Sequence, residues 1–153
     1  MIAARDPSRI AALVEVLRSI APCQIWTASD DGGLELADRA APTLVFAVQS
    51  GELDATGAIR RLRRSRSAAR EAVVILVSAE TTVTSMIAAR ECGAHETMRP
   101  PFTRSDLIRV LEGVALEPRA WIETAGYVGP DRRRFNSAQS AAAARGEKRV
   151  SPG

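Results

Sequence analysis

Two short and almost wholly apolar runs, residues 43–48 (TLVFAV) and 73–77 (VVILV), limit what this chain can fold into more than any other feature. A strand with one wet face alternates apolar and polar residues, whereas a continuous run of this length, rich in β-branched side chains, is a strand buried on both faces. Such strands lie in the middle of parallel sheets, between two layers of helices. The segments around them agree. Asp6-Pro7 can start a helix, and Ile10, Leu13, Val14 and Leu17 recur at helical spacing up to Pro22. Residues 24–28 read as a second strand and 34–41 as a short helix stopped by Pro42. Residues 56–69 predict a helix with Ile59 and Leu62 inward and its arginines outward, and residues 83–92 predict one closed by Gly93. A short strand at 96–98 precedes a last helix over 103–114, with Thr103 as cap and Asp106 at its third position. With a weak strand at the N-terminus, β-α repeats five times, which predicts an α/β doubly wound fold with a five-stranded parallel sheet and helices on both faces.

The 153 residues suit one domain with a sizeable core. No apolar run approaches the roughly 20 residues of a membrane span, and the N-terminus lacks a secretory pattern. Cys23 and Cys92 are too few for a disulfide framework, and one histidine, His95, argues against structural zinc, so a cytoplasmic protein without cofactors is expected. Residues 1–116 hold 14 arginines and 14 acids, and residues 117–153 hold 7 basic and 4 acidic side chains, the whole of the +3 net charge. The chain thus divides into a neutral domain, 1–116, and an extension, 117–153. In the extension Trp121, Ile122, Tyr127 and Val128 can pack, whereas from Pro130 onward the basic sequence is expected to be largely disordered. Arginine also crowds residues 60–70, which read as a solvated helix face, with a binding patch for an acidic partner or an anion as the alternative.

Three stretches, TASDDGGLELADRAAPTLVF (27–46), VVILVSA (73–79) and ECGAHETMRPPFTRSDL (91–107), resemble the bacterial response-regulator receiver domain of the chemotaxis-regulator type. The last resembles the family's A-G-A-x-x-Y/F-L/I-x-K-P-F segment. The resemblance covers residues 2 to about 115 and implies a flavodoxin-like fold and a role in two-component phosphorelay signalling. It places His95 in an exposed connection.

The family's phosphorylation chemistry does not carry over. Setting Asp6-Pro7 on the family's D-D-D-P puts Ala4 and Arg5 where an acidic pair binds Mg²⁺, and leaves Asp6 as the one acid. The phosphoacceptor position falls on Ala47, or with a shifted register on Val48 or Gln49. The lysine position is Pro100, beside Arg99, the aromatic switch position is Thr97, and only Ser78 matches the family's phosphate-sensing set. Mg²⁺ wants hard oxygen ligands, and a guanidinium about 4 Å from a divalent ion repels it by about 8 kcal/mol at an effective dielectric of ~20. The resemblance therefore implies a degenerate pseudo-receiver with no enzyme activity. It would bind a protein partner of a two-component pathway (a histidine kinase, a phosphotransferase or another regulator) through the fourth and fifth helices and the strand between them, the surface that would also serve a homodimer.

The alternative lies in the tail. GPDRRRFNS resembles a tail found on some alphaproteobacterial receiver proteins. Arg132, Arg133 and Arg134 cluster three guanidinium forks suited to phosphate, and Tyr127 and Phe135 could stack on a base. Cyclic di-GMP or another phosphate-bearing ligand is the chemistry such a tail would take, although the R-x-x-x-R and D/N-x-S-x-x-G signature is not completed. No membrane contact is expected, and nucleic acid is not an expected partner.

Overall fold

The computed structural model describes residues 2–3, 7–20, 27–28, 33–50 and 54–135. The two apolar runs form the centre of the sheet. β3 (Leu44–Val48) pairs in parallel with β4 (Val73–Val77), Leu44 opposite Val73 and Val48 opposite Val77. β1 (Ile2–Ala3) joins β3 to β2 (Thr27–Ala28), and β5 (Glu96–Met98) pairs with β4 on the other side. The order is β2-β1-β3-β4-β5, all parallel. Alternate residues of β3 and β4 feed two cores. Val45, Ala47, Val74 and Leu76 pack with residues of α2 (Gly33–Ala40), α3 (Ala55–Arg64) and α4 (Val83–Glu91). Phe46, Val48, Ile75 and Val77 pack with residues of α1 (Pro7–Ile20) and α5 (Arg104–Leu116). Thr103 and Asp106 close a reciprocal capping box at the start of α5. Among the described residues no helix is long and apolar enough to cross a membrane.

Three expectations fail here. The third helix stops at Arg64 rather than 69, because Ser65 turns its N–H and hydroxyl back onto the Leu62 carbonyl and Ser67 caps a 3-10 turn over Ala68–Glu71. Its arginines are not all outward: Arg63 is fully buried. His95 is buried too, not in an exposed connection. The two burials have one cause. Arg63 donates through Nε to the Gly93 carbonyl (2.9 Å), through Nη1 to the carbonyls of Arg70 (2.5 Å) and Ala72 (2.8 Å), and through Nη2 to His95 Nδ1 (3.3 Å). The guanidinium satisfies carbonyls that converge just before β4 and β5, groups that would be costly to bury unpaired. Burial lowers the Arg63 pKa to about 10, so it stays charged at neutral pH.

The extension folds onto this end of the sheet. Trp121–Glu123 (β6) and Val128–Pro130 (β7) form an antiparallel hairpin, followed by a 3-10 turn over Arg132–Arg134. Phe135 packs against the core beneath α3, so the described extension continues past Pro130, where the basic composition predicts disorder to begin. Arg119 docks the hairpin by pairing with Glu96 and donating to the His95 carbonyl, and the guanidinium of Arg63 lies 5.3 Å from the centre of the Trp121 ring.

The approach is close because two glycines meet. Gly93 has φ +93°, and a Cβ there would come within 2.8 Å of the Val128 carbonyl; a Cβ on Gly129 would come within 2.9 Å of Gly93 Cα. Gly93→Ala combines the left-handed backbone cost with a backbone clash and is expected to destabilise the fold by about 2–3 kcal/mol. Chemical denaturation measures this, and a change within error of zero would mean that the hairpin sits farther from the sheet.

Candidate functional site

An open parallel sheet presents its working crevice at the carboxyl ends of its strands. Here the ends of β3, β4 and β5 are level, because Gln49 N–H donates to the Val77 carbonyl (2.8 Å) and Ser78 N–H to the Met98 carbonyl (2.9 Å). A cavity of about 260 Å³ opens between these ends and the helices α3 and α4, lined among others by Gln49, Thr56, Ser78, Ser85, Thr97 and Arg99. Among the described residues of its lining, Glu80 is the one carboxylate.

Several polar groups here have local work. The Gln49 side chain accepts from Ala55 N–H (3.0 Å) and ties the end of β3 to the start of α3. Ser78 Oγ accepts from Glu80 N–H (3.1 Å). Asp54 caps α3, accepting from Gly57 N–H (2.9 Å) and the Thr56 hydroxyl (2.8 Å), and these bonds hold its pKa below the usual carboxylate range.

The proposed degenerate positions separate. Ala4, Arg5 and Asp6 lie outside the described residues, as does Cys23. Ala47 is buried within β3, its side chain in the core beneath α3 rather than in the crevice. The residue on that strand face which reaches the crevice, level with Ser78, is Gln49. Ser78 and Thr97 do line the same cavity. Pro100 does not. It lines a separate apolar cavity with Leu13, Val16 and Val48 on the α1 side, and Arg99 takes the place beside Ser78. Among the described residues no three His, Cys, Asp or Glu side chains gather to hold a metal. A hydroxyl, an amide and a guanidinium with one carboxylate do not match the hard anionic oxygen set that Mg²⁺ takes, so the residues described in this crevice do not fit such an ion.

The tail cluster is also rearranged. Tyr127 is buried, with its hydroxyl donating to the Pro130 carbonyl (2.6 Å), and Phe135 is half-buried against the core. Arg132 stacks on Tyr127 (4.6 Å) and pairs with Glu91. Arg133 is exposed, and the Arg134 side chain lies outside the described residues.

The feature that the sequence concealed is on α4. Its larger apolar side chains, Val83, Met86 and Ile87, face outward, while Ala89 is buried and Ser85 and Ala88 are half-buried. Leu116, at the end of α5, is 80% exposed. The signal was present as V-x-x-M-I over a helix whose other positions are small or polar.

No family model matches the chain, and no curated protein sequence matches it. Solved structures do. The chemotaxis protein CheY4 of Vibrio cholerae is 16% identical, with 74% of this chain and 94% of that one covered and a TM-score of 0.66. The receiver domain of the sensor histidine kinase PA1611 of Pseudomonas aeruginosa, which has a magnesium ion in its active-site cleft, is 19% identical over 73% and 92%, with a TM-score of 0.64. A CheY-like receiver domain protein of Methanospirillum hungatei is 15% identical over 73% and 88%, with a TM-score of 0.63. At these identities the likeness establishes the fold: the chain has the flavodoxin-like α/β fold of response-regulator receiver domains.

Proposed function

We propose that this receiver-fold chain is a phosphorylation-independent signalling module of the cytoplasm that carries no reaction of its own and binds a protein partner of a two-component pathway. The observation that carries the reading is the inverted fourth helix. A soluble helix buries its larger apolar side chains and shows small or polar ones to water. Here Val83, Met86 and Ile87 are 77%, 40% and 51% exposed over a small-residue underside. Covering one such side chain is worth about 1.5–3 kcal/mol, and together the three give a partner an apolar centre on α4. Independence from phosphate rests on the crevice, where Gln49 is held by the backbone of α3 and Arg99 stands beside Ser78. Thr97 offers that cavity no ring to reorient.

The test is capture of partners from the native host on the immobilised full chain. Ile87→Asp should reduce retention at least tenfold while the melting temperature stays put, since the side chain is half exposed. Retention of the same partners in the same amounts would remove α4 from the interface.

A further inference from the structure

We infer that α3 and the turn at Arg132–Arg134 together form a docking surface for the phosphate backbone of a nucleic acid, read through its charge rather than its bases. The two arginine runs are far apart in the sequence, and the fold joins them. Phe135 packs on the same core as Ile59 and Leu62 of α3. Both runs converge on the C-terminal end of α4, where Arg63 of α3 donates to the Gly93 carbonyl and Arg132 pairs with Glu91. Arg60, Arg61, Arg64, Arg66 and Arg133 are all exposed.

Of the described acids close by, all but the exposed Glu71 are engaged. Asp54 caps α3, Glu91 pairs with Arg90 and Arg132, and Asp131 caps the turn at Arg133. The surface is therefore basic although the body as a whole is neutral. Arginines in a last helical turn offset the helix dipole, but Arg60 lies before that turn, and Arg66 and Arg133 lie outside the helix.

The composition of the surface selects the polyanion. The exposed larger apolar side chains, Val83, Met86, Ile87 and Leu116, belong to α4 and α5, not to this face. A protein interface is depleted of charge at its centre, and a membrane-surface helix needs an apolar face to insert. Interfaces with nucleic acid are polar and strongly basic, and the guanidinium fork matches phosphate oxygens two at a time.

Fluorescence anisotropy of the full chain with a labelled random-sequence DNA duplex, and with a single-stranded RNA, tests the inference across a salt series. Four engaged arginines predict a log–log salt slope of about −3 to −4 on duplex. Arg60→Gln, Arg64→Gln and Arg133→Gln combined should weaken binding at low salt at least tenfold and flatten the slope by about 2 to 3. Arg109→Gln, on the opposite layer, should change neither. Should the triple variant melt early, Arg64→Gln and Arg133→Gln singly carry the test, each lowering the slope by about one. The proposal is overturned by no binding at low salt or by a triple variant that binds like the parent. It is equally overturned by binding that vanishes only when residues 136–153 are removed, or by equal, arginine-dependent binding of polyglutamate or phosphatidylserine vesicles.

Discussion

Arg119→Met should lower the unfolding free energy by about 3–5 kcal/mol, the range for removing one partner of a buried ion pair. For a domain of this size that is a fall in melting temperature of roughly 6–20 °C. The Arg119 side chain is 2% exposed and that of Glu96 0%. Arg119 also holds the His95 carbonyl, so the substitution leaves both a carboxylate and a carbonyl without that donor in a place water does not reach. The hairpin docks through this contact, and native-state hydrogen exchange should show β6 and β7 opening first. The double variant Arg119→Met with Glu96→Leu should recover much of the loss, because replacing a whole buried pair by apolar groups is often neutral or better. If Arg119→Met melts within a degree or so of the parent, the pair is solvated and the hairpin is held by something else.

Acid should weaken the fold through the buried His95. Burial, and then the positive charges of Arg63 and Arg119, push the His95 pKa down from 6.5 to about 3. The ring accepts at Nδ1 from Val74 N–H (3.1 Å) and from Arg63, which fits the neutral form with its proton on the other nitrogen. Between these two values the unfolded chain binds a proton that the folded chain does not. The stabilisation is thus complete above about pH 6.5 and is lost as pH falls toward 3. From about pH 8 to pH 5 the loss should be about 2 kcal/mol. Asp54 and Asp106, with pKa values lowered by their capping bonds, add their own loss only below about pH 4. Urea unfolding at the two pH values measures the difference. His95→Gln should flatten it, and an equal slope in parent and variant would mean that His95 is protonated in the folded state.

The parts of the fold that local pattern could reveal were legible. TLVFAV and VVILV need no partner to be recognised as central strands, and Thr103 with Asp106 announces its capping box three residues ahead. What stayed hidden was made by distant segments. Arg63 sits in a run that looks like a wet helix face, and only the convergence of carbonyls from residues 70, 72 and 93 makes its burial favourable. His95 is hidden for the same reason, and the hairpin because its strands, Trp121–Glu123 and Val128–Pro130, are too short for alternation to show. At the crevice, Ser78 and Thr97 could be placed from the resemblance to the family's fourth- and fifth-strand segments. The choice among Ala47, Val48 and Gln49 needed the pairing of β3 with β4, which a single strand cannot reveal.

The central claim is that this receiver-fold chain works without accepting phosphate. Incubation of the full chain with acetyl phosphate and Mg²⁺, followed at once by intact mass measurement, tests it most directly. The account predicts an unchanged mass, since no carboxylate stands at the described end of β3 and amide and apolar side chains are poor nucleophiles. A species heavier by one phosphoryl group, mapped to an aspartate such as Asp6 or Asp54, would contradict it.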